Sequence, residues 1–293
     1  MRAKSLTRRS FIKAAALTGA AAGVAPVARA ADALYTVQHG RIQQSVVPWC
    51  FNPMPPREVV ELAAKLKLAA VELISPDLWP LMKEKGMTCA IASSHGFNKG
   101  FAHLEEHEEC LNTLRKNITL ASNAGVQSII TFSGFRRKLP TAEGTKNMVD
   151  GLKKIAAFAE EKKVTVCLEM LNSRVDVSMK GHPDYFCDDI DLSVDICKQV
   201  ASERVKVLFD IYHVQIMHGD VIARLKKHTP WIGHYHTAGV PGRNEIDDTQ
   251  ELQYAPIMKA ILATGYKGFV AQEFIPLRDK ATSLAEAVKI CDV

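Results

Sequence analysis

The sequence predicts an α/β fold of the (β/α)8 TIM barrel type, a single domain following an N-terminal export signal. Three observations carry this. From Arg41 onward, eight short β-branched runs alternate with longer amphipathic ones over about 250 residues. Gly86, Gly125 and Gly265 each fall between a helical pattern and the next strand, where a left-handed stop belongs. The turn after the first run, Pro48-Trp49-Cys50-Phe51-Asn52-Pro53, has no Gly-rich phosphate loop, which argues against an open doubly wound sheet.

In chain order, the strand candidates are residues 42–47, 69–74, 88–93, 128–132, 164–169, 205–210, 232–237 and 268–274. Helical patterns include 57–66, 104–124, 145–162, 192–202, 221–228, 256–264 and 283–290. Two connections after strands are long: 94–103, "SHGFNKGFAH", and 170–191, which holds "NSRVDVSMKGHPDYFCDDID". Loops of that length in a compact barrel serve more often as lids or binding loops than as spacers.

Residues 5–30 contain no acidic side chain. They run from a basic start (Arg8, Arg9, Lys13) through an alanine-rich middle to Ala28-Arg29-Ala30, the form of an export signal with a small-residue cleavage site. The paired arginines followed by Ser10, Phe11, Ile12 and Lys13 resemble the bacterial twin-arginine signal, which a receptor reads; the apolar stretch is too short for a stable membrane span. This reading makes 1–30 a signal, 31–40 a linker and 41–293 the barrel, with the twin-arginine translocase as export partner and a periplasmic or extracytoplasmic location. The chain has 37 Lys+Arg against 32 Asp+Glu; the first 30 residues hold six of the basic groups, leaving 31 against 32 in the rest. That balance offers nothing to nucleic acid. Seven cysteines lack paired metal or redox spacing and read mostly as free core thiols. A homo-oligomer is left open.

In such a barrel, reactive groups sit at the C-terminal ends of strands. The run "VCLEM" ends in Glu169, "VLFDIYH" in Asp210 with His213 beyond it, "GHYHTAG" carries His234 and His236, and "VAQEF" ends in Glu273. Each acid closes an apolar run, and an unpaired buried carboxylate is costly. A divalent cation would satisfy three carboxylates and an imidazole together. The donor set suits Mn2+ or Mg2+, with Co2+ as an alternative, better than structural zinc. His234 and His236 share a face; His236 is nearer the mouth and is the better ligand, with His234 one layer deeper. A lone Asp after a strand is commonly a helix cap and a lone His a core residue, so the set in register carries the argument.

These stretches, with "VELISP" (71–76), "ITFSG" (130–134), "CLEMLNS" (167–173), "FDIYHVQIMHGD" (209–220), "IGHYHTAGVPGRNEIDDTQELQY" (232–254) and "GFVAQEFIP" (268–276), resemble the hydroxypyruvate-isomerase-like branch of the xylose-isomerase-like sugar isomerases and epimerases. The resemblance implies metal ligation by Glu169, Asp210, His236 and Glu273, with Glu169 and Glu273 doubling as the acid/base pair. It implies a substrate-hydroxyl contact at His213 and a substrate- or carboxylate-facing arginine at Arg243. In one respect the chain departs from the branch: hydroxypyruvate isomerases proper carry Gln where this chain has His236, whereas ketose 3-epimerases carry His.

The implied chemistry moves a proton next to a carbonyl through an enediolate, for which two carboxylates and a Lewis-acidic cation suffice. For hydroxypyruvate the product is tartronate semialdehyde, with Arg243 on the carboxylate and Arg136 as a second choice. The alternatives are a ketose 3-epimerase, a lyase on oxidised (3-keto) sugars using the same site, and a non-catalytic periplasmic sugar-binding barrel. Three weaker substrate contacts are Glu72, against which stands pairing with an arginine; His95, against a plain loop histidine; and His182, against a solvated loop residue. "EEHEEC" (105–110) reads as the acidic first turn of a helix.

Overall fold

Every strand ladder among the described residues is parallel. The computed structural model describes residues 33–293, so the predicted export signal lies outside the described residues. The strands are β1 (Gln43–Val46), β2 (Ala70–Val71), β3 (Thr88–Cys89), β4 (Ser128–Thr131), β5 (Thr165–Glu169), β6 (Val205–Asp210), β7 (Ile232–Thr237) and β8 (Phe269–Gln272). The helices are α1 (Pro56–Lys65), α2 (Trp79–Glu84), α3 (His107–Ala124), α4 (Thr141–Lys162), α5 (Ile190–Val200), α6 (Ile211–Met217), α7 (Val221–His228), α8 (Tyr254–Ala263) and α9 (Lys280–Cys291). Helices follow strands as the alternation predicts, giving an α/β TIM-barrel-like fold.

One expectation needs correction. The sheet is not a single closed ladder but an open half-barrel of six strands, in the order β1-β8-β7-β6-β5-β4, beside the pair β2-β3. Sparse bonds cross the two seams. Ala69 N–H donates to Gln44 O at 3.0 Å and Glu72 N–H to Val46 O at 3.1 Å, while Ala92 forms a lone parallel bridge with Ile129. The expected run 69–74 pairs in register with β3 only at Ala70 and Val71; beyond them Leu73 is left-handed (φ 49°), with its N–H still bonded to Ile91 O at 3.0 Å.

Helix ends follow ordinary capping chemistry. Gly125 closes α3 at φ 78°, a conformation that costs glycine little. Asp189 caps α5 by accepting from the N–H groups of Asp191 (2.7 Å) and Leu192 (3.3 Å). The segment expected to be a linker is anchored from Tyr35 to Gly40: Asp292 accepts from Tyr35 Oη (2.8 Å) and from the N–H groups of Gln38 (2.6 Å), His39 (3.0 Å) and Gly40 (2.9 Å). All seven cysteines are buried and free. No described helix is long and apolar enough to cross a membrane.

Candidate metal centre

β5, β6, β7 and β8 are consecutive neighbours in the sheet, so their C-terminal ends converge. There Glu169, Asp210, His236 and Glu273 each offer a ligand atom, all within 4.8 Å of one another and all buried. Asp210 serves two purposes. Its Oδ1 caps α6, accepting from Tyr212 N–H (2.8 Å) and His213 N–H (3.2 Å), while Oδ2 turns toward Arg243 Nη2 at 3.5 Å. Glu273 Oε2 lies 2.7 Å from His236 Nδ1 and accepts from Arg243 Nη2 at 2.5 Å. Glu169 Oε1 approaches His236 Nδ1 only to 3.3 Å and is left without a hydrogen bond.

The electrostatics show what the cluster lacks. Burial pushes Asp210 up to about 7 against the pull of Arg243, and burial likewise raises Glu169. At Glu273, burial is outweighed by Arg243 and His236, which hold its carboxyl well below the usual range. Three buried acids against one arginine are short of positive charge. An orphaned carboxylate oxygen, a second turned inward and an imidazole nitrogen facing two carboxylates fit a hard divalent cation.

The cluster's surroundings are equally specific. His213 Nδ1 accepts from Asn172 N–H (3.0 Å) and from Asn172 Nδ2 (2.7 Å), so the proton sits on Nε2. That Nε2 is buried, unpartnered and 3.5 Å from Asp210 Oδ2. Burial, with Arg243 adding to it, keeps the ring neutral well below the usual histidine range. Arg243 also donates through Nη1 to Met179 O (2.7 Å) and lies over the rings of Trp49 (5.2 Å) and Tyr212 (5.6 Å). Tyr212 Oη donates to Lys180 O at 2.7 Å, so the long loop after β5 is fastened over the centre at two adjacent carbonyls.

The remaining predicted contacts divide. His182 stacks on Phe97 (centroids 4.4 Å) and lies 6.2 Å from the His213 ring; burial first, then Arg243, lower it to about 4. His95 instead joins the core, with Nε2 2.9 Å from Thr131 Oγ1 and its ring edge-on to Phe101 and Phe132. Arg136 bonds Thr141 Oγ1 (3.0 Å) and Phe186 O (3.2 Å), with no hydrogen bond or ion pair to the four-ligand cluster. Glu72, expected to orient substrate, lies wholly buried behind His236. Its partners are histidines and a serine, and no arginine is among them: His234 Nε2 (3.0 Å), His236 Nε2 (2.8 Å) and Ser45 Oγ (2.5 Å). Burial disfavours its charge, but the two histidines outweigh that and lower it to about 2. Sequence reading missed Asn172, Trp49, Tyr212 and the Met179 carbonyl; only Asn172, three residues after Glu169, had a positional signal. A cavity of about 580 Å³ beside Trp79, Lys83 and Asn123 shares no lining residue with the centre, so chemistry rather than volume marks the site.

A family described as Xylose isomerase-like TIM barrel matches residues 59–291. The chain belongs to the xylose isomerase-like TIM barrel family. Within it, the chain is distantly related to hydroxypyruvate-isomerase-like proteins: it is 26% identical over 232 residues to a putative hydroxypyruvate isomerase of Drosophila melanogaster, covering 75% of this chain and 85% of the relative. It is 40% identical over 113 residues to 2-oxo-tetronate isomerase of Cupriavidus necator, but that match spans 39% of this chain and 41% of the relative. It is 30% identical over 129 residues to D-psicose 3-epimerase of Ruminiclostridium cellulolyticum, spanning 43% of this chain and 39% of that protein. Among solved structures, an AP endonuclease, family 2, from Brucella melitensis superposes with a TM-score of 0.74 at 23% identity, over 84% of this chain and 97% of that one, and shows the family's fold.

Proposed function

We propose that this family member is a metal-dependent epimerase of small ketoses or keto sugars, working by proton transfer next to a carbonyl. The observation that carries the reading is the pair Glu169 and Glu273. They stand on β5 and β8, with Asp210 and His236 of the intervening strands between them, and their environments push their acidities in opposite directions. One carboxylate takes the proton as the C–H bond breaks and its electron pair enters the enediolate. The other carboxyl returns a proton to the opposite face, and the two exchange roles in the reverse reaction. A divalent cation held by Glu169, Asp210, His236 and Glu273 supplies Lewis-acid stabilisation of the developing oxyanion. Neutral His213, with its Nε2 proton aimed into the centre, donates to a substrate hydroxyl. The fastened loop and Arg243 exclude water.

His236 favours a ketose epimerase, as does the likeness to D-psicose 3-epimerase. A second reading, isomerisation of hydroxypyruvate or another 2-oxo acid, is favoured by Arg243, whose buried Nε has no hydrogen-bond partner to answer it, and by the likeness to 2-oxo-tetronate isomerase. The test is a panel of free ketoses, 3-keto sugars and hydroxypyruvate with Mn2+ in D2O, followed by NMR. Deuterium entering C3 of a ketose with formation of its epimer is the expected result; exchange on hydroxypyruvate alone replaces it with the second reading. No exchange on any substrate leaves a sugar-binding barrel. We infer further that residues 1–30 direct export by the twin-arginine route, a reading that rests on Arg8, Arg9 and the acid-free run; an Arg8→Lys, Arg9→Lys chain that still reached the periplasm would refute it.

A further inference from the structure

Beneath the four-ligand cluster lies a second group of ligand-type side chains, Glu72, His234 and His236, also close enough to hold a cation. The two groups share His236, which faces one with each ring nitrogen: Nδ1 meets Glu273 (2.7 Å) and Glu169 (3.3 Å), and Nε2 meets Glu72 Oε1 (2.8 Å). Their hydrogen bonding differs completely. Glu169 Oε1 is unpartnered, whereas both oxygens of Glu72 are bonded, Oε1 to His234 and His236 and Oε2 to His234 (3.1 Å) and Ser45 (2.5 Å). A buried carboxylate whose oxygens all have donors needs no cation. Ser45 Oγ donates to this carboxylate, which therefore acts as an acceptor, so the nitrogen of His236 that faces it at 2.8 Å carries a proton.

We infer that Glu72 is a positioning residue for the metal centre, locking His236 as the Nε2–H tautomer so that the Nδ1 lone pair is presented to the cation, with Ser45 and His234 holding the carboxylate in place. A carboxylate behind a ligating imidazole fixes ring orientation and increases the basicity of the ligating nitrogen. This rests on the metal site proposed above, and it makes the centre mononuclear.

The test measures Mn2+ binding to the full chain by calorimetry, in wild type, Glu72→Gln, Ser45→Ala and, as a ligand-loss control, Asp210→Asn. Wild type binds one Mn2+ per chain. Glu72→Gln, folded by circular dichroism, binds about 10- to 100-fold more weakly. Ser45→Ala keeps the carboxylate but loses one of its donors, and shows a smaller loss in the same direction. In the Mg2+-loaded wild type, 15N shifts of His236 report Nε2 protonated and Nδ1 ligating, a signature that a purely structural role for Glu72 does not require. Unchanged Mn2+ affinity in both variants overturns the inference and leaves the metal site standing. Two Mn2+ per wild-type chain, the second lost in Glu72→Gln, makes Glu72 a ligand and overturns it as well. A wild-type chain that binds no Mn2+ overturns the metal site itself.

Discussion

Two layers of the barrel interior, one residue repeat apart on β7, treat polar side chains in opposite ways. In the layer of Ser45, Glu72 and His234, both carboxylate oxygens have donors and the acid ionises readily. In the layer above, Glu169 keeps an oxygen without a partner, Asp210 is pushed up to about 7, and Arg243 is drawn in as countercharge. Protein interiors seldom leave buried polar atoms unpaired, so the second pattern marks a place built for a ligand while the first marks scaffold. The contrast also explains why the two histidines of one strand have different fates. His234 spends its Nε2 on Glu72, and His236 alone reaches both layers.

The largest expected effect tests the upper layer's chemistry. Replacing Glu169 or Glu273 with Gln keeps size but removes the proton carrier and one anionic ligand of the proposed cation. Each variant should lose about 10²- to 10⁴-fold in α-proton exchange while circular dichroism stays unchanged. Full exchange in either variant, measured by NMR in D2O, breaks the two-carboxylate account.

Much of this division was legible beforehand, and its gaps have physical causes. β6 and β7 occupy their expected residues, short β-branched and aromatic runs that close at Asp210 and at His236-Thr237. The cluster of Glu169, Asp210, His236 and Glu273 was readable because the four close neighbouring parallel strands, whose ends face one mouth. α6 was not, because Ile211–Met217 is too short for a helical period to stand out, and Asp210, which caps it, read as the end of a strand. Leu73's left-handed turn had no signal, since a leucine there looks like any strand residue. The lower layer was also hidden. Glu72 and His234 meet 162 residues apart across the interior, so Glu72 read as an isolated polar position open to substrate. Spacing identifies groups that face one mouth; it does not identify partners across a barrel.

A stability comparison separates the layers next. His234→Ala takes a donor from each oxygen of Glu72, at a cost of about 1–3 kcal/mol. The melting temperature should therefore fall by several degrees whether or not Mn2+ is present. Asp210→Asn retains the cap on α6 through its amide oxygen but loses a cation ligand. Its melting temperature should no longer rise with Mn2+, whereas wild type at a hundredfold excess over Kd gains about 2.7 kcal/mol. Scanning calorimetry with and without Mn2+ reads both. A rise retained in Asp210→Asn would show that the layers had been assigned the wrong way round.

The smallest effect is one of pH. A cation binds ionised carboxylates and an unprotonated Nδ1, so protons already in the site must leave. Burial raises Asp210 to about 7 and raises Glu169. His236 is held protonated well above the usual imidazole range despite burial, because Glu273, Glu169 and Glu72 surround it. Raised values mean that the metal-free site holds protons near neutrality, so affinity must fall as pH falls. Below about pH 7 each displaced proton contributes up to about tenfold per pH unit. Glu72, lowered to about 2, is ionised throughout this range and adds nothing to the slope. Mn2+ affinity should therefore be about tenfold or more weaker at pH 6 than at pH 7. Calorimetry in two buffers of different ionisation enthalpy should count at least one proton released per Mn2+ bound. A count of zero would mean that the upper layer is as fully satisfied as the lower one, and the distinction between them would collapse.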